Sequence, residues 1–445
     1  MTFTRYSFEA ATDIQLRLID KPFMTSAKAH LSFPNGLSDT DHVLVELFKK
    51  GTPDVKVGQT VRIEAADFVG QRTLTLGGLA PHTTYVLKAE ARAADESVLT
   101  SGSLEWSVGD DRELADQSLA LTFGVQVSTY AGSLRGYRDG DLSTALFGQP
   151  AAMVKGKDGS LFVADSMYNR IRRIDSAGNV TTFAGSGNTS NVPGTGTAAS
   201  IWAPMGMAVD SHGNLFVSSV ISHTILKITP AGVVSLFAGS GTAGSTDSQG
   251  TAASFNQPLG LCIDAQDNLY VADNMNHRIR RITPDGTVST WAGSSVGYND
   301  ANGTSAQFKN PLGVAIDAAQ NLYVADSSGM RIRMISPARD VTTLAGTGAM
   351  GTDDGPVSSA TFMVPMTFAL APDGSVFVLD MVRVRRIKEG QVTTVAGSTQ
   401  GYKDGTGAQA EFTLLYGGLF LSDGSLLVSD SGNAVIRRIV LPPSY

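Results

Sequence analysis

The sequence is 445 residues long, and 42% of its residues are hydrophobic while 17% are charged. This composition supplies large apolar cores and excludes a disordered chain or a coiled coil, because those need more charge or fewer apolar residues. The net charge of −7 argues against nucleic acid as a partner of the whole chain, and the single cysteine, Cys262, excludes an intramolecular disulfide and a cysteine-based zinc site.

Targeting signals are missing from the N-terminal sequence. No apolar run approaches the roughly 18 residues of a transmembrane helix, so we expect no membrane span. The opening segment, MTFTRYSFEAATDIQ, lacks the basic-then-apolar order of a secretory signal peptide. We therefore expect a cytoplasmic protein or one released with an assembled phage or other virion, and the sequence leaves the compartment open.

Residues 1–108 alternate apolar and polar side chains in seven or eight short segments, which is typical of a β-sandwich. Within them, the stretch LTLGGLAPHTTYVLKAEARA (Leu74–Ala93) resembles the fibronectin type III signature, Leu-x-Pro-x-Thr-x-Tyr before a strand. The resemblance implies an immunoglobulin- or fibronectin-like domain with Tyr85 as its corner tyrosine, serving as an attachment or oligomerisation adaptor. Residues 109–123 begin with a polar run and are predicted to be a linker.

A repeat fills residues 124–445. Six phrases, from VSTYAG at Val127 to VTTVAG at Val392, start 51 to 54 residues apart, and a second phrase such as LYVADNMNHRIRRI lies between them. Each unit of about 54 residues contains four short predicted strands, which we name a to d, separated by turn residues. Four antiparallel strands repeated radially predict a six-bladed β-propeller. In the third unit the four strands start at Pro258, Leu269, Arg278 and Val288.

The order of the phrases predicts how the ring closes. One VxTxAG phrase precedes the first unit, whereas the sixth unit, residues 415–439, has none after it. Val127–Gly132 is therefore predicted to be the outer strand of the blade whose inner three strands are C-terminal. Such a closure leaves no exposed strand edge between the first and last blades.

The repeat unit also resembles a known family. The motifs are P-x-G-[VLM]-A-[VI]-D, then N-L-[YF]-V-A-D and N-x-R-I-R-R-I, and they are similar to the NHL repeat. Units one, three and four match best, whereas two, five and six depart from the pattern. The resemblance implies an all-β propeller platform. NHL-repeat proteins include RNA-binding domains, enzymes and protein-interaction modules, so the fold leaves the function open.

The axis of the propeller is the first place where chemistry could reside. Alternation along strand a directs small uncharged side chains such as Gly260 and Cys262 towards it. The repeat region has three histidines, His212, His223 and His277, all in predicted turns. A propeller lyase or lactonase needs three or four converging metal ligands, and the sequence offers no such ring. We therefore predict no cofactor and no metal site, and we favour a non-catalytic protein.

More than half of the basic residues of the repeat region lie in strand c. They could line a phosphate-binding face, but an aspartate that ends strand b precedes an arginine by seven residues in four units and by five in the fifth unit. The second unit lacks both, with Ser219 and Leu226 instead, which favours buried ion pairs because one partner alone would be costly. The predicted pairs are Asp165 with Arg172, Asp273 with Arg280, Asp326 with Arg333, Asp380 with Arg385, and Asp430 with Arg437.

The loops between strands d and a vary most and are rich in Gly, Asp, Ser and Thr. Their acidic residues could bind calcium or a sugar, or could form Asx turns that shape the loop; the last is favoured because each loop has too few carboxylates for a calcium cage. These loops and the b–c turns are expected on one face of the disc, which is the candidate binding surface. Its predicted residues are Tyr137, Asp139, Tyr298, Asp300, Asp354, Tyr402 and Asp404.

These observations favour a non-catalytic binding or assembly protein that presents a rigid propeller face to a protein or glycan partner. A surface-recognition component and a virion- or tail-associated component are two such roles. One alternative is a hydrolase or lyase that acts on a sugar, lactone or ester at the channel mouth. Another is an RNA-binding module, which the 22 basic against 24 acidic residues of residues 124–445 argue against.

Overall fold

The computed structural model describes residues 125–442 in full and, before them, the course of eight strands between residues 16 and 108. The chain divides into two compact units, of which the second spans Val127–Val440. Each unit is described by itself.

The eight N-terminal strands lie in two antiparallel sheets. One sheet joins Leu16–Ile19, Thr25–Leu31 and Arg72–Leu79 in that order. The other joins Val55–Lys56, His42–Lys49, Thr83–Arg92 and Val98–Val108, with Val61–Glu64 also paired to His42–Lys49. The fibronectin-like packing predicted for residues 1–108, the corner role of Tyr85 and the linker at 109–123 concern side chains and segments outside the described residues.

Residues 125–442 confirm the all-β propeller with six blades, each an antiparallel sheet of four main strands. Strands a to d are Pro150–Lys155, Leu161–Asp165, Arg170–Ile174 and Val180–Ala184 in blade 1, and Pro204–Val209, Leu215–Ser219, Thr224–Ile228 and Val233–Ala238 in blade 2. They are Pro258–Ile263, Leu269–Asp273, Arg278–Ile282 and Val288–Ala292 in blade 3, and Pro311–Ile316, Leu322–Asp326, Arg331–Ile335 and Val341–Ala345 in blade 4. Blade 5 has Pro365–Leu370, Val376–Asp380, Arg383–Lys388 and Gln391–Ala396.

Blade 6 is built from both ends of the repeat region. Its strands a to c are Leu415–Phe420, Leu426–Asp430 and Val435–Val440, and its outer strand d is Gln126–Ala131. Val127, in that outer strand, is only 3% exposed. Strand Gln126–Ala131 therefore completes the last blade, as the order of the phrases in the sequence predicts.

The blades hold together through apolar side chains packed between neighbouring sheets. Strand b is buried along its whole length in five of the six blades, since it is covered on both faces. Phe147 is fully buried beside residues of blades 1 and 6, including Val163 and Ile436. Burying such a side chain contributes about 2–3 kcal/mol. The same position holds Ile201, Phe255, Phe308, Phe362 and Phe412 in the other loops, all fully buried.

Neighbouring strands a approach each other closely around the axis. A Cβ atom added at Gly260 would lie 2.6 Å from the carbonyl oxygen of Leu312 in the next blade. Any larger side chain would push the two strands apart, which explains the glycine of the P-x-G motif.

The loops that join consecutive blades also cover the outer edge of the blade they enter. Two-residue strands Gly194–Thr195, Gly355–Pro356 and Gly405–Thr406 pair with strand d of blades 2, 5 and 6. A single bridge does the same in blade 1, and in blades 3 and 4 a single bridge pairs the loop with the residue just before strand d. Covered edges offer no free row of backbone groups to another chain. Short 3-10 turns lie at Gly196–Ala198, Gly250–Ala252, Asn274–Asn276, Gly303–Ser305 and Ser327–Gly329, and none of the described helices is long and apolar enough to cross a membrane.

Candidate functional site

One face of the propeller carries both the b–c turns and the d–a loops. Strand a begins beside the end of strand b, as Pro258 pairs with Asp273, so the loop leading into strand a and the turn leaving strand b lie together. We call this surface the loop face. It contains every residue that the sequence predicts for the binding surface.

Each of blades 1 and 3–6 has an arginine in strand c that is completely buried below the loop face. In blade 3, Nη1 of Arg280 lies 2.7 Å from Oδ2 of Asp273, which ends strand b. Its Nη2 lies 2.5 Å from Oδ1 of Asp247, which belongs to the d–a loop. We call these the inner and the outer aspartate, and the three residues together the arginine network of a blade.

The other four blades repeat both contacts. The Nη1–Oδ2 distance to the inner aspartate is 3.6 Å for Arg172 and Asp165, 3.1 Å for Arg333 and Asp326, 3.4 Å for Arg385 and Asp380, and 3.0 Å for Arg437 and Asp430. The outer aspartates that pair with Nη2 are Asp139 at 2.7 Å, Asp354 at 2.8 Å, Asp404 at 2.5 Å, and Asp300. Two carboxylates per guanidinium offset the cost of burying the charge.

The outer aspartate also fastens the loop to strand d. Oδ2 of Asp354 accepts a hydrogen bond of 2.8 Å from the backbone N–H of Thr394, and Oδ1 accepts one of 3.0 Å from its hydroxyl. The corresponding threonines in blades 1, 3, 4 and 6 are Thr182, Thr290, Thr343 and Thr129. The loop aspartates thus bind protein groups on two sides, and their side chains keep 38–46% of their surface exposed.

Asp247 is the loop aspartate that the sequence analysis missed. It occupies the outer position of blade 3, although its loop lacks the tyrosine that marks three of the others. A separation of 33 residues joins the outer aspartate to its arginine in blades 1, 3, 4 and 6. That spacing is the signal in the sequence that identifies it.

The three loop tyrosines stack on the networks from the solvent side. The Tyr298 ring centroid lies 3.8 Å from Cζ of Arg331 and 5.0 Å from Cζ of Arg333, and its hydroxyl lies 3.1 Å from Oγ1 of Thr343. Tyr137 has the same arrangement in blade 1, and Tyr402 covers Arg437 in blade 6. Each ring therefore has one face on a guanidinium and remains about half exposed on the other side.

Burial sets the protonation behaviour of the inner aspartates. Loss of hydration raises the pKa of Asp326 to about 6, although the backbone N–H of Lys309 and the guanidinium of Arg333 oppose this shift. Burial also raises the pKa of the inner aspartates of the other four networks, against similar hydrogen bonds.

Several b–c turn residues link one blade to the next, and His277 and Asn169 are two of them. In blade 3, Nδ1 of His277 accepts a hydrogen bond of 3.2 Å from the backbone N–H of Asn310, and in blade 1 the side-chain oxygen of Asn169 accepts one of 2.8 Å from Ala203. Both residues have a positive φ, near 55°. Burial lowers the pKa of His277, which favours the neutral imidazole that this bond requires.

The axial channel encloses about 390 Å³ between the six strands a. None of its lining side chains is an acid, a histidine, a lysine or an arginine; the polar ones are Cys262, Thr367 and Tyr416. Burial raises the pKa of the Cys262 thiol and of the Tyr416 hydroxyl, so both stay neutral near pH 7. Among residues 125–442, no three His, Cys, Asp or Glu side chains come together in a group that could hold a metal ion.

The loop face exposes many large apolar side chains. Twelve such residues are exposed in the described part of the chain, and ten of them belong to d–a loops or b–c turns. The ten are Leu134, Tyr137, Met167, Val192, Ile221, Met275, Val296, Tyr298, Met350 and Tyr402.

Comparison with known proteins agrees with this fold. The family model of the NHL repeat matches residues 255–282, which contain strands a to c of blade 3. The chain is 28% identical over 265 residues to the protein suppressor of quenching 1 of Arabidopsis thaliana, with 55% of this chain and 25% of that protein covered. It is 30% identical over 265 residues to human NHL repeat-containing protein 2, with 51% of this chain and 36% of that protein covered. The chain thus spans a quarter to about a third of the length of these relatives.

A solved structure shares the fold over nearly the whole chain. It is a structural genomics protein of unknown function from Bacteroides thetaiotaomicron, with a TM-score of 0.56 and 17% sequence identity. The match covers 96% of this chain and 98% of that protein, and at this identity it concerns the fold alone.

Proposed function

We propose that the protein is a non-catalytic binding protein whose six-bladed propeller presents its loop face to a protein partner. The observation that carries this proposal is the concentration of exposed apolar side chains on that face, ten of the twelve in residues 125–442. Isolated exposed apolar residues are normal on any protein, whereas their concentration on one face marks an interaction surface.

The identity of these side chains favours a protein over a glycan. Three tyrosines and three methionines are among the ten, and both residue types are enriched at protein interfaces. Met350 is 64% exposed and lies in the same d–a loop as Asp354, which the network of blade 5 holds in place. The tyrosine hydroxyls already bond to threonines within the protein, which leaves the ring surfaces as the contact area.

The arginine networks support the proposal through preorganisation. Each network ties a d–a loop to strands b, c and d of the blade that it enters, as Asp354 does through Arg385 and Thr394. Loops that are ordered before binding lose little conformational entropy when a partner docks. A rigid, partly apolar face on a closed ring is therefore suited to recognition of a folded surface.

For the N-terminal unit we propose that residues 1–108 form the fibronectin-like sandwich and act as an adaptor for attachment or oligomerisation. The support is the pairing of its eight strands in two antiparallel sheets of three and five strands, together with the Leu74–Ala93 motif.

Site-specific photocrosslinking tests which face binds. A photoreactive phenylalanine analogue replaces Met350 on the loop face in the full-length chain, and a matched probe replaces His212, whose side chain is 77% exposed in an a–b turn on the opposite face. We expect a discrete protein adduct in cells of the source organism from the Met350 probe, and its loss when Val296→Glu is added. Equal adducts from both probes, or adducts only from position 212, would contradict the proposal.

A further inference from the structure

Blade 2 departs from the arginine network at every position. Leu226 pairs with Leu236 in the register where Arg172 pairs with Thr182, so two leucines replace the arginine and the threonine. Ser219 ends strand b in place of the inner aspartate. In the d–a loop, Gly194 pairs with Val234 as Gly140 pairs with Val180 in blade 1, which puts Pro193 and Asn191 in the places of Asp139 and Tyr137.

These replacements coincide with a cavity of about 450 Å³ at blade 2, which we call the blade 2 pocket. Leu226 and Leu236 contribute to its wall, and so do Pro193 and Asn191 of the d–a loop. Ile201, in the same apolar cluster as Leu226 and Val234, stands where the five other loops have the larger phenylalanine. The arginine and the outer aspartate that occupy this space in the five other blades are both absent from blade 2.

The lining of the blade 2 pocket is uncharged and combines apolar with polar side chains. None of the residues lining the blade 2 pocket is an Asp, Glu, Lys, Arg or His. Leu226, Val234 and Trp202 make part of this lining apolar, and Leu226 and Val234 are each only 2% exposed. Hydroxyl groups of serines and threonines lie among the remaining lining residues. A charged ligand would lose its hydration here without meeting an opposite charge.

Asn191 keeps the pocket in shape. Its side-chain N–H groups donate to the hydroxyl oxygens of Ser219 at 2.9 Å and Thr224 at 3.0 Å, and its oxygen accepts a bond of 2.7 Å from the backbone N–H of Trp202. In the other blades the inner aspartate accepts the hydrogen bond at the position of Trp202, as Asp326 does from Lys309. The amide thus satisfies the polar groups that the missing network would bind, so the pocket is built into the fold.

We propose that the blade 2 pocket is a binding site for an uncharged organic ring compound, aromatic or alicyclic, that carries at least one hydrogen-bonding group. Ligand pockets typically enclose about 300–1,000 Å³, and an apolar protein cavity of roughly 150 Å³ already binds benzene. The ring of such a ligand packs against Trp202 and the two leucines, and its polar group reaches the hydroxyls. Val192 and Ile221 line this pocket and also belong to the loop face, but the ligand proposal rests on the cavity and does not depend on the proposed protein contact.

Ligand-observed NMR with the full-length protein tests the site directly. Indole and p-cresol are the neutral probes, and indole-3-acetate and 4-hydroxybenzoate are their charged counterparts. We expect saturable binding of the neutral probes, with the charged analogues at least about tenfold weaker because no lining residue compensates their charge. Absence of binding of both neutral probes at millimolar concentration, or equal binding of the charged ones, would overturn the proposal.

Two variants locate the binding. Leu236→Trp fills the pocket from its rim, where Leu236 is 40% exposed, and the triple variant Pro193→Asp, Ser219→Asp, Leu226→Arg restores the missing network. Both should abolish saturable binding, whereas the control Val296→Trp, on a loop of a different blade, should leave it unchanged. If the triple variant does not fold, Leu236→Trp decides alone, and full binding by that variant would overturn the proposal. Val296→Glu, which tests the protein contact, should not affect the probes.

Discussion

The guanidinium of Arg280 lies 2.7 Å from the carboxylate of Asp273, and both side chains have no exposed surface. Four other blades repeat this buried pair, and in each of them a second aspartate, from the preceding d–a loop, completes the coordination. The arginine therefore links strand b, inside the blade, to the d–a loop on the loop face. Stability and the shape of the loop face depend on the same residues.

Removing one partner of this pair should be far more costly than removing both. Arg280→Leu leaves Asp273 buried without its cation, and we expect it to lower the free energy of unfolding by about 3–5 kcal/mol. The double variant Arg280→Leu, Asp273→Ser copies blade 2 and should recover a large part of that loss. Urea unfolding of the wild type, both single variants and the double variant measures the coupling. Additive losses would show that the two side chains act independently.

His277 should make the propeller sensitive to acid. Because its pKa is lower in the folded protein than in the unfolded chain, unfolding takes up a proton as the pH falls below about 6.5. Its contribution to stability is therefore complete above that pH and declines as the pH falls through the folded pKa. The expected loss is below about 1 kcal/mol, because solvent screens the partly exposed ring.

The matched variant is His277→Asn, since blade 1 uses Asn169 for the same hydrogen bond at the same positive φ. We expect His277→Asn to match the wild type at pH 8 and to be more stable than it at pH 5. Thermal unfolding at both pH values tests this. An identical pH dependence of the two proteins would show that His277 does not cause the loss of stability at low pH.

The outer strand of blade 6 is far in sequence from the other three main strands of that blade, so it can be removed and supplied as a separate peptide. A chain that starts at residue 133 lacks Gln126–Ala131 and exposes strand c of that blade, and we expect a loss of at least about 3 kcal/mol together with self-association. A synthetic peptide of residues 124–132 should bind this shortened chain and restore its thermal stability, while a scrambled peptide should not. Full stability of the shortened chain without peptide would contradict the closure.

The repeat period, the strand pattern and the order of the phrases are sufficient to predict six blades and the closing strand, because each depends on local periodicity. The partners of Asp139 and Asp354 could not be predicted from local periodicity. For these residues the sequence left calcium binding, sugar binding and turn formation open. These aspartates bind arginines 33 and 31 residues away, and that contact depends on the path of a loop. The blade 2 pocket could not be predicted from the sequence for the same reason. Only the backbone pairing of Gly194 with Val234 shows that Pro193 occupies the position of the outer aspartate.

Charges placed on the loop face should weaken binding of the protein partner, and the affinity for that partner measures this effect. The double variant Val296→Glu, Met350→Glu changes two exposed apolar side chains, and His212→Glu is the control on the opposite face. We expect the double variant to bind the crosslinked partner at least about a hundredfold more weakly, with its melting temperature unchanged, and the control to bind like the wild type. Undiminished affinity of the double variant would contradict the claim that this face is the binding surface.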